Sequence, residues 1–291
     1  MDRPEITQAM IDAYDEYTHL TLDRRDFMRK LQALAGTAGA AAAIAPLLAA
    51  NSAKADIVPP SDDRLETSEM TYGGSPGEIK AYIAIAKDAP AKVPAVIVIH
   101  ENRGLNNHIR DVTRRLALDG FLAMAPDLLS PSGGTPSDED QARDMIGKLP
   151  ADITRTNLVA AVEFLKGHAR STGKVGAVGF CWGGGWVNGL ATASPDLSAG
   201  IAYYGKQAEA SDVPKIKAAL MLHYAGLDDR INAGIEDYKK ALEANKKDFQ
   251  IFVYDKVNHA FNNDTSAARY NKEAADLAWG RTISFLKEKL A

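Results

Sequence analysis

The seven residues Gly179-Phe180-Cys181-Trp182-Gly183-Gly184-Gly185 place the chain's only cysteine in a G-x-C-x-G pattern. Before them, Val175-Gly176-Ala177-Val178 reads as a short buried strand. After them, Trp186 to Thr192 can form a helix. A strand, a tight turn and a helix make the setting of a nucleophile elbow, here with a thiol in place of a hydroxyl. Glycines are needed because the turn is strained and closely packed. The helix N-terminus behind the sulfur favours its thiolate. A lone cysteine is more commonly an inert buried hydrophobe, so the reading rests on partners elsewhere in the chain.

Two later segments supply them. The apolar run Ala219-Leu220-Met221-Leu222 leads into His223-Tyr224-Ala225-Gly226-Leu227-Asp228-Asp229. The run Ile251-Phe252-Val253-Tyr254 leads into Asp255-Lys256-Val257-Asn258-His259. Each puts a polar group on a loop after a strand. The order Cys181, Asp228, His259 is the nucleophile–acid–base order of α/β-hydrolases. His259 would move the proton, and Asp228 would fix its tautomer and stabilise its cation. The oxyanion would take the backbone N–H of Trp182 and a second N–H near Asn102. Asp229 is the competitor of Asp228, and His223 that of His259; chain order favours the first of each pair. His19, His100, His108 and His168 have no partner pattern and read as structural or exposed. No two ligand-type residues sit at metal spacing with a third donor in context, and no cofactor motif is present.

The elements that position these residues follow from hydrophobic rhythm. Residues 70–72 and 79–86 flank Gly73-Gly74-Ser75-Pro76-Gly77 and predict a hairpin. Strands are then expected at 95–99, 121–125, 175–178, 199–203, 218–222 and 250–254. Helices are expected at 109–119, 137–148, 153–169, 186–192, 233–245 and 266–289. Strands alternating with helices predict an α/β domain with a mostly parallel sheet covered on both faces. In such sheets chemistry gathers at the carboxyl ends of the strands, where Glu101, Cys181, Asp228 and His259 all fall.

At 291 residues, 46% hydrophobic and 25% charged, the chain is ordinary for a globular protein. A net charge of −4 offers no basic surplus for a nucleic-acid partner. One cysteine excludes an intramolecular disulfide framework. The N-terminus has its own layout: charged residues 23–30 with Arg24-Arg25 and Phe27, an uncharged Ala/Gly-rich run from Leu31 to Ala50, then Ala53-Lys54-Ala55. This reads as a signal peptide over 1–55 of twin-arginine type, removed on export to the periplasm by the twin-arginine machinery, with no stable membrane span. The acidic stretch 1–22 is unusual for such a leader. Residues 56–68 read as a linker and 69–291 as one domain.

With these residues assembled, the chain resembles the dienelactone hydrolase (carboxymethylenebutenolidase) family from about Ser68 to Ala291. The marks are Ile97-Val98-Ile99-His100-Glu101-Asn102-Arg103-Gly104-Leu105, Ala125-Pro126-Asp127-Leu128, Gly179-Phe180-Cys181-Trp182-Gly183-Gly184 and Asn258-His259-Ala260-Phe261. The resemblance implies an α/β-hydrolase fold, a Cys181–Asp228–His259 triad, and a Glu101 that contacts the cysteine and gates formation of its thiolate. It also implies arginines that hold a substrate carboxylate, one of them four residues after the histidine, where this chain has Asn263. Arg103 and Arg110 are the candidates to substitute. The expected activity is hydrolysis of a small ester or lactone. The alternatives are a non-catalytic binding protein of the same fold, and a thioesterase.

Overall fold

The computed structural model describes residues 5–49 and 57–291. The cleavage site expected at residues 53–55 lies outside them. An eight-stranded sheet runs β1(Leu65–Gly74), β2(Gly77–Ala86), β3(Val93–Ile99), β4(Leu122–Pro126), β5(Ser171–Phe180), β6(Leu197–Tyr203), β7(Ala219–Ala225) and β8(Phe249–Tyr254) in chain order. In space the order is β1-β2-β4-β3-β5-β6-β7-β8. The β1–β2 hairpin and the β2–β4 pair are antiparallel, and all pairs from β4 to β8 are parallel.

Alternation along β3 shows why the sheet needs two covers. Val96 and Val98 pack on one face with Ile109, Val112 and Leu116 of α4(Asn107–Leu118) and Phe285 and Leu286 of α10(Lys272–Lys289). Ala95, Ile97 and Ile99 face the other way. There they meet Leu158, Val162 and Leu165 of α6(Ala151–Gly167), Val187 and Leu190 of α7(Trp182–Ala193), and Leu242 of α9(Ile235–Ala244). Side chains of period two can satisfy both layers only if both are apolar. This is an α/β-hydrolase fold in a single domain.

Several boundaries differ from the sequence expectation. The stretch expected to be a linker is partly structural. Strand β1 already begins at Leu65, and the backbone N–H of Val58 donates to the buried Asp111 carboxylate at 2.7 Å. Helix α7 starts four residues early, directly after Cys181. The helix expected at 233–245 is α9, and ahead of it lies an unexpected short helix, α8(Asp229–Asn232), which the Asp228 side chain opens by capping the Ile231 N–H. Helix α5(Glu139–Ile146) is shorter than its periodic pattern, and α10 begins at Lys272, where Asn271 caps Ala274.

The N-terminal residues form three helices, α1(Gln8–Thr18), α2(Arg24–Ala35) and α3(Ala38–Leu48). Thr37 caps α3 and Asp23 caps α2. Met10, Tyr14, Tyr17, Phe27, Leu31, Ile44 and Leu48 make their own small core, which packs against Ala268. Among the described residues no single helix is long and apolar enough to cross a membrane.

Candidate active site

Cys181 stands between β5 and α7 with φ 54° and ψ −115°, a region that L-residues adopt only under constraint. Its N–H donates to the Tyr203 carbonyl at 3.0 Å, and its own carbonyl receives the Gly185 N–H at 3.1 Å. The glycines permit the bend. A Cβ on Gly179 would strike the Gly183 backbone, and one on Gly183 would strike the Ile99 carbonyl. The elbow therefore points the thiol out of the sheet at the head of α7, where the first-turn N–H groups are unpaired.

The structure brings Asp228 and His259 together. Asp228 follows β7, is 4% exposed, and its Oδ2 lies 2.5 Å from His259 Nδ1. Oδ1 receives the Ile231 N–H, which fixes the carboxylate. His259 sits on the loop after β8, and among the described residues its buried Nε2 has no hydrogen-bond partner. One ring nitrogen of His259 lies within 4.8 Å of Cys181 Sγ. Asp229 is exposed and only opens α8. His223 is wholly structural: its Nδ1 meets Tyr254 Oη at 2.9 Å and its Nε2 meets Thr282 Oγ1 at 3.2 Å. Burial lowers its pKa to about 3, so it stays neutral. His100 is held by the Glu101 carbonyl and stacks on Trp182.

The electrostatics of the pair are opposed to burial. Desolvation raises the Cys181 pKa, but His259 and then His19 outweigh it and bring it to about 6. Burial lowers the His259 pKa, and the charges of Asp15, Cys181 and Asp228 raise it well above the ordinary value. Burial raises the Asp228 pKa, and His259 carries it below the usual carboxylate range. The arrangement favours a thiolate beside an imidazolium.

Three expected site residues have other placements. Glu101 is buried, but the group on its Oε2 is the Asn263 side-chain amide at 2.8 Å, and Cys181 Sγ is approached by His19 instead. Asn263 is fixed in turn by Thr265, whose N–H and hydroxyl both donate to Oδ1. Thus the residue standing where an arginine was expected holds the glutamate. Arg103 does not face the cysteine. Its Nη1 donates to the Glu139 carbonyl at 2.8 Å and to Asp140 at 3.0 Å, because these oxygens line its path across the surface. Arg110 pairs with Glu69. Asn102 does line the cavity, and its side-chain amide donates to the Thr18 carbonyl.

A cavity of about 460 Å³ opens over Cys181 and Trp182, within the range of small-ligand sites. Its cations are Arg143, Arg155, Lys206 and Arg230. Sequence reasoning assigned none of these, nor His19. His19 follows α1 directly and its Nε2 is 3.4 Å from Cys181 Sγ. Its ring stands edge-on to His259 with centroids 4.7 Å apart. Asp15, one turn earlier, pairs with Arg269 at 3.4 Å and contributes to the charge around His259. The sequence hint was the acidic stretch 1–22 with Ile11, Tyr14 and Tyr17, atypical of a charged leader.

Residues 79–290 match the model of the dienelactone hydrolase family. A "Putative carboxymethylenebutenolidase" of Saccharolobus solfataricus is 33% identical over 257 residues, covering 75% of this chain and 97% of its own. A protein of the same name from Escherichia coli O157:H7 is 31% identical, covering 82% and 93%. The crystal structure of a "Putative Dienelactone Hydrolase" from Klebsiella pneumoniae superposes with a TM-score of 0.70 at 29% identity, covering 76% and 97%.

Proposed function

From the premise that the chain belongs to the dienelactone hydrolase family, we propose that it cleaves small carboxylic esters or lactones with Cys181 as nucleophile. The observation that carries this is the buried Asp228–His259 pair, 2.5 Å apart, beside a thiol held at positive φ on the helix head. The Cys181 thiolate attacks the carbonyl carbon. The resulting oxyanion is held by the Trp182 and Asn102 backbone N–H groups. The His259 imidazolium gives its proton to the departing oxygen, leaving a thioester and a neutral imidazole. His259 then takes a proton from water as that water attacks the thioester. The product acid leaves, and the proton returns the pair to its starting state. Asp228 keeps Nδ1 protonated throughout, so Nε2 alone exchanges protons.

The cavity bounds the substrate. About 460 Å³ suits a small molecule, and Arg143, Arg155, Lys206 and Arg230, outnumbering Glu209 and Asp212 on the same walls, favour one bearing a carboxylate. Arg103, turned to Asp140, takes no part. Export is a further element of this reading, supported by Arg24-Arg25, the Ala/Gly-rich run and the small-residue site at 53–55. The twin-arginine pathway would carry the chain already folded.

The test is hydrolysis of p-nitrophenyl acetate and of dienelactone by the wild type, Cys181→Ala and His259→Ala. Turnover is expected only in the wild type. Equal rates in wild type and Cys181→Ala would overturn the assignment. A reporter fused after residue 55 should reach the periplasm and should fail to do so in Arg24→Lys/Arg25→Lys.

A further inference from the structure

We propose that His19, Cys181 and His259 form a site for a zinc-class divalent cation, assembled only while α1 is docked, and that its occupancy switches the hydrolase off. One ligand atom from each of the three lies within 4.8 Å of the other two. They are a sulfur and two imidazole nitrogens, the donor set of a borderline-soft metal, with no oxygen that would suit magnesium or calcium.

The histidines are oriented for it. His19 Nδ1 lies 2.7 Å from the Asp15 carbonyl, and Arg230 Nη2 lies 2.9 Å from His19 Nε2. A guanidinium can only donate, so Nε2 carries the lone pair and Nδ1 the hydrogen. His259 Nδ1 is likewise taken by Asp228, and its buried Nε2 has no partner. Two imidazoles whose Nδ1 atoms are fixed by oxygens, with both Nε2 lone pairs turned toward the sulfur, is the usual outer-shell arrangement of metal-binding histidines, although the Arg230 N–H on His19 Nε2 must be displaced first.

Distances agree. Zinc bonds of about 2.3 Å to sulfur and about 2.05 Å to nitrogen at the tetrahedral angle give S···N of about 3.6 Å and N···N of about 3.3 Å. The His19 Nε2 to Cys181 Sγ distance is 3.4 Å. All three residues line the cavity. A cation serves both Nε2 atoms at once and takes the place of the Arg230 N–H on that of His19. On binding, the one proton shared by Cys181 and His259 is released to buffer, and both the nucleophile and its base are held. The negative charges of Asp15 and Asp228 flank the cation. Arg230 opposes it, and its side chain, 43% exposed, turns outward only by giving up its contact with His19 Nε2. Loss of α1 removes one ligand of three. Switching rests on the hydrolase reading; the site itself does not.

The experiment titrates the full-length protein with Co²⁺ and then displaces it with Zn²⁺. The expected result is intense visible bands with a thiolate-to-metal charge-transfer band, lost in Cys181→Ser. His19→Ala, and His19→Gln as a gentler substitution, should weaken binding beyond the roughly 10–100-fold that loss of an outer-shell partner costs. Arg230→Gln should tighten it. Circular dichroism checks that each variant is folded. Co²⁺ bound without a thiolate band, or equally by wild type and a folded His19 variant, overturns the site. Undiminished ester turnover at saturating Zn²⁺ overturns the switch. A protein that binds Co²⁺ as described yet hydrolyses no ester supports the site and refutes the hydrolase reading alone.

Discussion

Replacing His259 should move the titration of Cys181, and the size of the effect follows from the site. Burial alone would raise the thiol pKa, but His259 and His19 bring it from 9.0 to about 6. At pH 7 such a thiol is roughly nine-tenths thiolate, against about 1% for one at the ordinary value. Lower basicity makes each thiolate a weaker nucleophile. A Brønsted slope of about 0.4–0.5 over this shift takes back roughly twentyfold. The net gain in alkylation rate is therefore only about fourfold at pH 7, and about twentyfold at pH 6, where the ordinary thiol is almost wholly protonated. The discriminating quantity is the midpoint rather than the rate. Iodoacetamide labelling of Cys181, followed by mass across pH 4 to 10, should rise with a midpoint near 6 in the wild type. In His259→Ala the largest lowering contribution is gone and burial remains, so the midpoint should move well upward.

The sign for turnover follows from the same pair. The reactive form needs Cys181 deprotonated and His259 protonated. The Cys181 pKa is lowered and that of His259 is raised, so kcat/KM should climb through about pH 6 and fall only on the alkaline side, as the imidazolium is lost. A wild-type labelling midpoint at 8 or above, unmoved in His259→Ala, would refute this reasoning. It would instead favour the gated thiol implied by the family resemblance, in which thiolate forms only with substrate bound.

Asp228→Asn should keep the fold and lower kcat/KM for p-nitrophenyl acetate by roughly 10²–10⁴, since the amide can stabilise the wrong His259 tautomer and no cation; a loss under threefold would remove Asp228 from the mechanism. Gly183→Ala should cost about 1–3 kcal/mol of stability through overpacking against the Ile99 and His100 carbonyls, seen as a fall in Tm of roughly 2–4 °C per kcal/mol. Asn263→Ala strips the hydrogen bond on Glu101 Oε2; leaving a buried carboxylate short of a partner should cost about 1–3 kcal/mol, measurable by urea denaturation, and an unchanged midpoint would show that Glu101 is held by other means.

Much of the fold was legible because its signals are local. Apolar runs such as 95–99 and 175–178 sit at strands β3 and β5, and the parallel sheet follows from their alternation with helices. Boundaries moved where a side chain intervened. The Asp228 cap opens α8 as an extra turn ahead of the helix expected from residue 233, and Cys181 in a strained conformation lets α7 start at once. The polar, proline-bearing stretch before β1 looked like linker, yet Val58 is drawn to Asp111 across 53 positions. No pattern within the stretch itself encodes that contact.

The candidate site divides the same way. Cys181, Asp228 and His259 each follow a strand, so chain order and strand ends were enough to bring them into one argument. Arg103 was adjacent in sequence to Glu101 and Asn102, but its direction depended on Asp140, whose position sequence alone does not give. His19 was hidden for the strongest reason. It lies 162 positions from Cys181, in a segment whose twin arginines and Ala/Gly-rich run argue for removal. An acidic helix with Met10, Tyr14 and Tyr17 on one side had no assigned function in a leader. Docked, that helix buries these residues, offers Asp15 to Arg269 and sets His19 against Cys181. Helix α1 and the cavity over Cys181 therefore share a surface, so whether residues 1–55 are kept or removed decides which groups stand beside the Cys181 sulfur.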